Sequence, residues 1–120
     1  MDLKDLQAIA DLTVERLGRA HVPPIRLKNT LRGRAGKDFI SIPLWVIHYP
    51  YPLEFVIYYV VHEVCHYFYG FRHDRAFKAG ETKTLSLWGL KPIYARAYIK
   101  KLIGDNGNIV YDKKTIQNGM

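Results

Sequence analysis

The segment Leu53–Tyr69 constrains this chain more than any other. It reads Leu-Glu-Phe-Val-Ile-Tyr-Tyr-Val-Val-His-Glu-Val-Cys-His-Tyr-Phe-Tyr, with Pro52 suited to a first helical turn and Gly70 to a stop. A helix that is apolar nearly all round has to be surrounded by other structure. A bilayer does not provide those surroundings, because no stretch of the chain reaches the 18 or so apolar residues of a membrane span. The longest apolar run, Phe55 to Val61, is bounded by Glu54 and His62. The segment is therefore expected to be the central helix of a folded domain. It nevertheless carries His62, Glu63 and His66, and burying such groups without partners is costly.

The spacing of those three residues suggests why they are there. His62 and His66 lie four apart, so both imidazoles project from one face of a helix. Two nitrogens placed this way can share one zinc ion at about 2.0–2.1 Å. Glu63 sits about 100° round the helix from His62, beside the metal position rather than on it. A carboxylate there can take a proton from zinc-activated water. With five His and four Glu, His-Glu-x-x-His arises by chance in roughly 1% of shuffled sequences, and here it falls on the most strongly patterned helix. Two helical ligands leave a zinc site incomplete. His73 is the candidate third ligand, provided that Gly70 reverses the chain, because a continuous helix would carry His73 about 10 Å beyond His66. Glu81 is the rival ligand, and Asp74 a weaker rival or an orienting partner for a ligand histidine. Cys65 reads as a buried filler, and His21 and His48 as surface or cleft residues.

The rest of the chain reads as α+β. Residues 2–17 form an amphipathic helix on the stripe Leu3, Leu6, Ala10, Val14 and Leu17, with Asp2 as N-cap and Gly18 as stop. Ile25–Leu31 and Phe39–Ile42 read as strands joined across Gly33–Asp38 into a hairpin. Leu44–Tyr51 is irregular or a single helical turn among Pro43, Pro50 and Pro52. Asp74 caps a short helix through Ala79, and Thr82–Leu90 has no clear pattern. A last helix opens at Lys91-Pro92 and closes at Gly104, with a short strand at Asn108–Tyr111. All 120 residues are expected to form one domain, with an N-terminal helix over 1–18 and a mobile tail over 105–120.

The net charge of +7 is unevenly spread. Arg16, Arg19, Arg26, Lys28, Arg32, Arg34 and Lys37 follow one another with no acidic residue between them. From Arg75 to Lys101 only Glu81 interrupts a second basic stretch. Such stretches suit either a solvated surface or contact with phosphates or acidic polypeptide. The start, Met1-Asp2-Leu3-Lys4-Asp5, lacks the pattern of a signal peptide, so a cytoplasmic location is expected. Cys65 is the only cysteine, which excludes an intramolecular disulfide and a cysteine-based zinc ribbon.

His62-Glu63-Val64-Cys65-His66 with His73 and Phe77 resembles the SprT-like and YgjP-like metallopeptidase domains, which show His-Glu-Leu-x-His followed by His-x-x-x-Phe. Tyr58–Val61 resembles the apolar run before their active-site helix, Phe39–Leu44 their short strand and loop, and Arg32–Ala35 a YgjP-like Arg-Trp-Gly-Ser segment without its Trp. The match covers residues 25–80, and the loop from His66 to His73 is one residue longer than the usual YgjP-like pattern. In size the chain resembles the minigluzincins, single-domain peptidases described as latent. The resemblance implies a zincin-like fold, a short twisted sheet packed on the active-site helix, with peptide substrate laid along an edge strand formed by Phe39–Ile42. It also implies a zinc endopeptidase with Glu63 as general base and His62, His66 and His73 as ligands, acting on proteins, with DNA-associated proteins as one class. Two variants of this reading stand beside it: a latent enzyme whose tail from Asp105 covers the cleft, and a zinc-binding but catalytically silent module for nucleic acid or protein. No membrane association is expected, and the sequence leaves the oligomeric state open.

Overall fold

A computed structural model describes residues 1–48 and 51–91. Within them the architecture is α+β: helices α1 (Leu3–Arg16), α2 (Trp45–His48), α3 (Leu53–Tyr69) and α4 (Arg75–Ser86), and strands β1 (Ile25–Lys28), β2 (Arg34–Ala35) and β3 (Ile40–Pro43). The expected helix from Lys91-Pro92, the strand at Asn108–Tyr111 and the tail over 105–120 lie outside the described residues. No helix among those described is long and apolar enough to cross a membrane.

Helix α3 is the central element, as its composition requires. Residues Phe55 through Val61 and Glu63 through His66 are all buried. Val60, Val61, Val64 and Cys65 have no solvent exposure. Helix α1 packs across it and starts from a reciprocal cap: the Asp2 carboxylate accepts the Asp5 N–H, and the Asp5 carboxylate accepts the Asp2 N–H. Its buried face is Leu6, Ile9, Ala10, Thr13 and Val14, whereas Leu3 is exposed. The stripe is thus rotated toward Thr13 relative to the sequence expectation. Thr13 is tolerated there because its hydroxyl donates to the Ile9 carbonyl at 2.7 Å and accepts from the Trp88 indole N–H at 3.0 Å.

The sheet corrects the expected hairpin. Strand β3 pairs in parallel with β1 (Ile25 opposite Ile40) and antiparallel with β2 (Ala35 opposite Ile40), giving the order β1-β3-β2. The chain leaves β1, passes beyond the place β3 will occupy, and returns through a tight turn in which the Gly36 N–H donates to the Phe39 carbonyl. The reversal lies inside the segment read as turn material, between β2 and β3. Strand β3 is buried at every position and is the middle strand. Phe39–Ile42 is therefore not the edge beside the helix. That edge is β2.

Two glycines set how closely other elements approach α3. A Cβ on Gly80 of α4 would lie 2.6 Å from the Tyr69 ring, so α4 can cross α3 at this distance only without a side chain there. A Cβ on Gly33 would lie 2.9 Å from the Ser41 carbonyl, 3.0 Å from the Tyr59 ring and 3.3 Å from the Glu63 carboxyl carbon. The Gly33 N–H donates to the Tyr59 hydroxyl at 3.0 Å, and the Trp45 indole N–H donates to the Leu31 carbonyl at 2.9 Å. The segment leading into β2 is thereby held against α3 beside Glu63.

Candidate metal centre

The turn after α3 decides whether a third histidine reaches the first two. Gly70 sits at φ +101°, a conformation that disfavours any residue with a Cβ. Its N–H closes the helix on the His66 carbonyl at 3.1 Å, and its own carbonyl accepts from His66 Nδ1 at 2.9 Å. The chain then reverses and brings His73 back over α3. Asp74 follows at once and caps α4, its carboxylate accepting the Phe77 N–H at 2.9 Å. Asp74 thus serves the helix end.

The three imidazoles converge. The Nε2 atoms of His62 and His66 are 3.1 Å apart, those of His66 and His73 3.1 Å, and those of His73 and His62 3.2 Å. Three nitrogens bound to one zinc at about 2.0–2.1 Å with tetrahedral angles are separated by about 3.3–3.4 Å. Among the described residues these three form the one group of His, Cys, Asp and Glu donors near enough to hold a metal ion together.

The partners of the other ring nitrogens make the point chemically. His66 Nδ1 faces the Gly70 carbonyl, which can only accept, so the proton is on Nδ1 and Nε2 of the neutral ring carries a lone pair. His62 Nδ1 faces the Glu81 carboxylate at 2.5 Å, which assigns its proton the same way. With both rings neutral, two lone pairs face each other across 3.1 Å, an arrangement relieved by a cation between them, whether a metal ion or a proton. Protonating the cluster more than once would place like charges together. Burial holds His66 below the ordinary histidine pKa, and the neighbouring His62 and His73 lower it further.

Phe77 supplies the wall behind the cluster. It is 1% exposed, stacks on His66 with ring centres 4.3 Å apart, and meets His62 and His73 edge-on at 5.3 and 5.2 Å. Glu81 is placed opposite to its role as rival ligand. It contacts Nδ1 of His62, away from the three Nε2 atoms, and orients the imidazole. The periodicity of Arg75–Ser86 could have revealed it: Phe77, Glu81, Thr84 and Leu85 share the buried face of α4, and a carboxylate on such a face needs a partner. A helix ending at Ala79, as expected from the sequence, would leave Glu81 without a face.

Glu63 is 6% exposed, and burial pushes its carboxyl up to about 7. Tyr59, one turn earlier, is buried with its hydroxyl accepting from Gly33, and desolvation raises its pKa as well. Cys65 has no exposure, and burial pushes its thiol up to about 12, which leaves it a packing residue. His21 and His48 are exposed and outside the cluster.

No family model, curated protein or solved structure matches this chain.

Proposed function

We propose that this chain is a zinc-dependent peptidase with a zincin-like site. The observation that carries the reading is the triangle of Nε2 atoms, 3.1–3.2 Å on a side, with the Nδ1 atoms of His62 and His66 already committed to Glu81 and Gly70. The donor set fits the ion, since three neutral imidazoles with one open position is a ligand set used for catalytic zinc. His62, His66 and His73 would hold it. Bound there, zinc supplies Lewis acidity to a carbonyl oxygen and lowers the pKa of water toward about 7.

Glu63 is the general base. Its carboxyl stands one residue from a metal ligand, where a carboxylate can take up a proton from metal-activated water. It takes one proton from the attacking water as the water oxygen bonds to the carbonyl carbon. The C–N bond then breaks, and Glu63 returns that proton to the departing nitrogen, leaving a carboxylic acid and an amine. Gly33 and the start of β2 lie directly against Glu63, so an extended peptide would run past this edge, with its scissile bond between Glu63 and the histidines.

The test is metal analysis followed by turnover. Purified protein should contain about one zinc per chain, and His73→Ala should lose it. Glu63→Gln should keep the zinc while kcat on a peptide substrate falls by about 10²–10⁴-fold. A chain that binds no divalent metal after zinc supplementation, or a fully active Glu63→Gln, would sink the reading.

A further inference from the structure

We propose that the substrate is an acidic polypeptide segment, recognised by three arginines that rim the candidate site: Arg32, Arg72 and Arg75. This inference rests on the peptidase reading and specifies its substrate class.

The placement follows from the backbone. Arg32 precedes Gly33, whose Cα side lies against the Glu63 carboxyl, and the charge of Arg32 is felt at the neighbouring Tyr59 hydroxyl. Arg72 precedes His73, and Arg75 opens α4 immediately after Asp74. Arg32 thus borders the β2 side of the site, and Arg72 and Arg75 flank the third histidine along the chain. All three side chains are exposed, and among the described residues none forms an ion pair. An exposed arginine not engaged by a described carboxylate presents its fork of donors to a carboxylate from elsewhere.

Among the described residues, the acidic groups outside the pocket itself are arranged to leave this rim positive. Asp2, Asp5, Asp11 and Glu15 belong to α1 and its cap. Glu54 starts α3, and Asp38 lies in the turn before β3. Near the site, Asp74 commits its carboxylate to the Phe77 N–H, and Glu81 is 1% exposed and turned to His62. A peptide with Asp or Glu on both sides of its scissile bond would meet opposite charge at each end, whereas a basic peptide would be repelled. Complementarity of this kind acts mainly on encounter and is screened by salt.

The experiment uses the zinc-loaded full chain and fluorescence-quenched peptides of one sequence carrying Glu, Gln or Lys on both sides of the cleaved bond. The expected result is kcat/KM about three- to tenfold higher for Glu than for Gln flanks at low salt, lower still for Lys, with the differences collapsing near 0.5 M NaCl. Arg32→Gln/Arg72→Gln/Arg75→Gln should erase the preference through KM, while Lys4→Gln on α1 should keep it. Equal turnover of the three peptides, or a preference that survives the triple variant, overturns the proposal. The same peptides are titrated by anisotropy against zinc-loaded Glu63→Gln. If none is cleaved yet the acidic one binds tighter, the peptidase reading fails and the acidic partner stands. Tight binding of a duplex DNA oligonucleotide lost in the triple variant, without any peptide preference, would overturn it in favour of nucleic acid.

Discussion

In the first half of α3, Phe55 packs against Tyr51 with ring centres 4.8 Å apart and against Trp45 and Tyr59 at 6.1 Å each. In the second half, His62 and His66 are held by a carboxylate and a carbonyl at 2.5 and 2.9 Å. The two halves share one helix but are held by different forces. Ring packing is non-directional and close to proportional to the area removed from water, so the first half depends on volume. The second half depends on angles and protonation states, which a small displacement ruins. The helix therefore acts as a stiff arm: one end is anchored by bulk, and the other presents groups that bulk alone would not position.

Three measurements would break or sharpen this contrast. Phe55→Ala should lower unfolding free energy by about 3–5 kcal/mol, read from denaturant titration. The zinc affinity of the molecules that remain folded should change little. A parallel loss of affinity would show that the halves are not separable.

Next comes the cost of burying Glu63. Its folded-state pKa, about 7, lies above the ordinary carboxylate value of 4.5. The neutral form is favoured in the folded state, so this group's contribution is fully present below about pH 4.5 and is lost as pH rises through 7. Metal-free Glu63→Gln has no carboxylate to desolvate. Its stability relative to the parent should grow from near zero at pH 4 to about 3 kcal/mol above pH 8. His66, with its lowered pKa, acts in the opposite sense in both proteins, losing its contribution as pH falls, and so cancels from the difference. A flat difference across that range would mean that Glu63 is solvated. With zinc bound, the dication favours the carboxylate and the difference should shrink.

The smallest effect is expected at Glu81. Glu81→Ala should weaken zinc binding by about 10- to 100-fold, because His62 loses the acceptor that orients its ring. Glu81→Gln, which keeps a carbonyl oxygen for the Nδ1 proton, should recover most of the affinity. An unchanged affinity in Glu81→Ala would mean that packing against Phe77 suffices to hold His62.

Some of this was legible in the sequence for a definite physical reason. The bounds of α3, the cap at Asp2 and the cap at Asp74 follow from local rules that act within one or two turns. The pairing of His62 with His66 is helical geometry, and the reversal at Gly70 is the one conformation a glycine makes cheap. The sheet was not legible in the same way. Ile25–Leu31 and Phe39–Ile42 carry strand patterns that are compatible with either orientation, and nothing local says that β3 slips between β1 and β2. A two-residue β2 leaves almost no periodic signal, and Gly33, the close approach to Glu63, looks like any turn glycine.

What the sequence by itself determined is a central helix presenting two imidazoles and a carboxylate, followed by a turn able to bring a third imidazole back. That information is local, because helical period and glycine stereochemistry operate between neighbours along the chain. Only the tertiary structure decided that Glu81 takes Nδ1 of His62, that Phe77 backs all three rings, and that β2 rather than β3 borders the site. Those facts depend on how closely separate elements pack, and that distance is set where Gly80 meets Tyr69 and Gly33 meets Glu63.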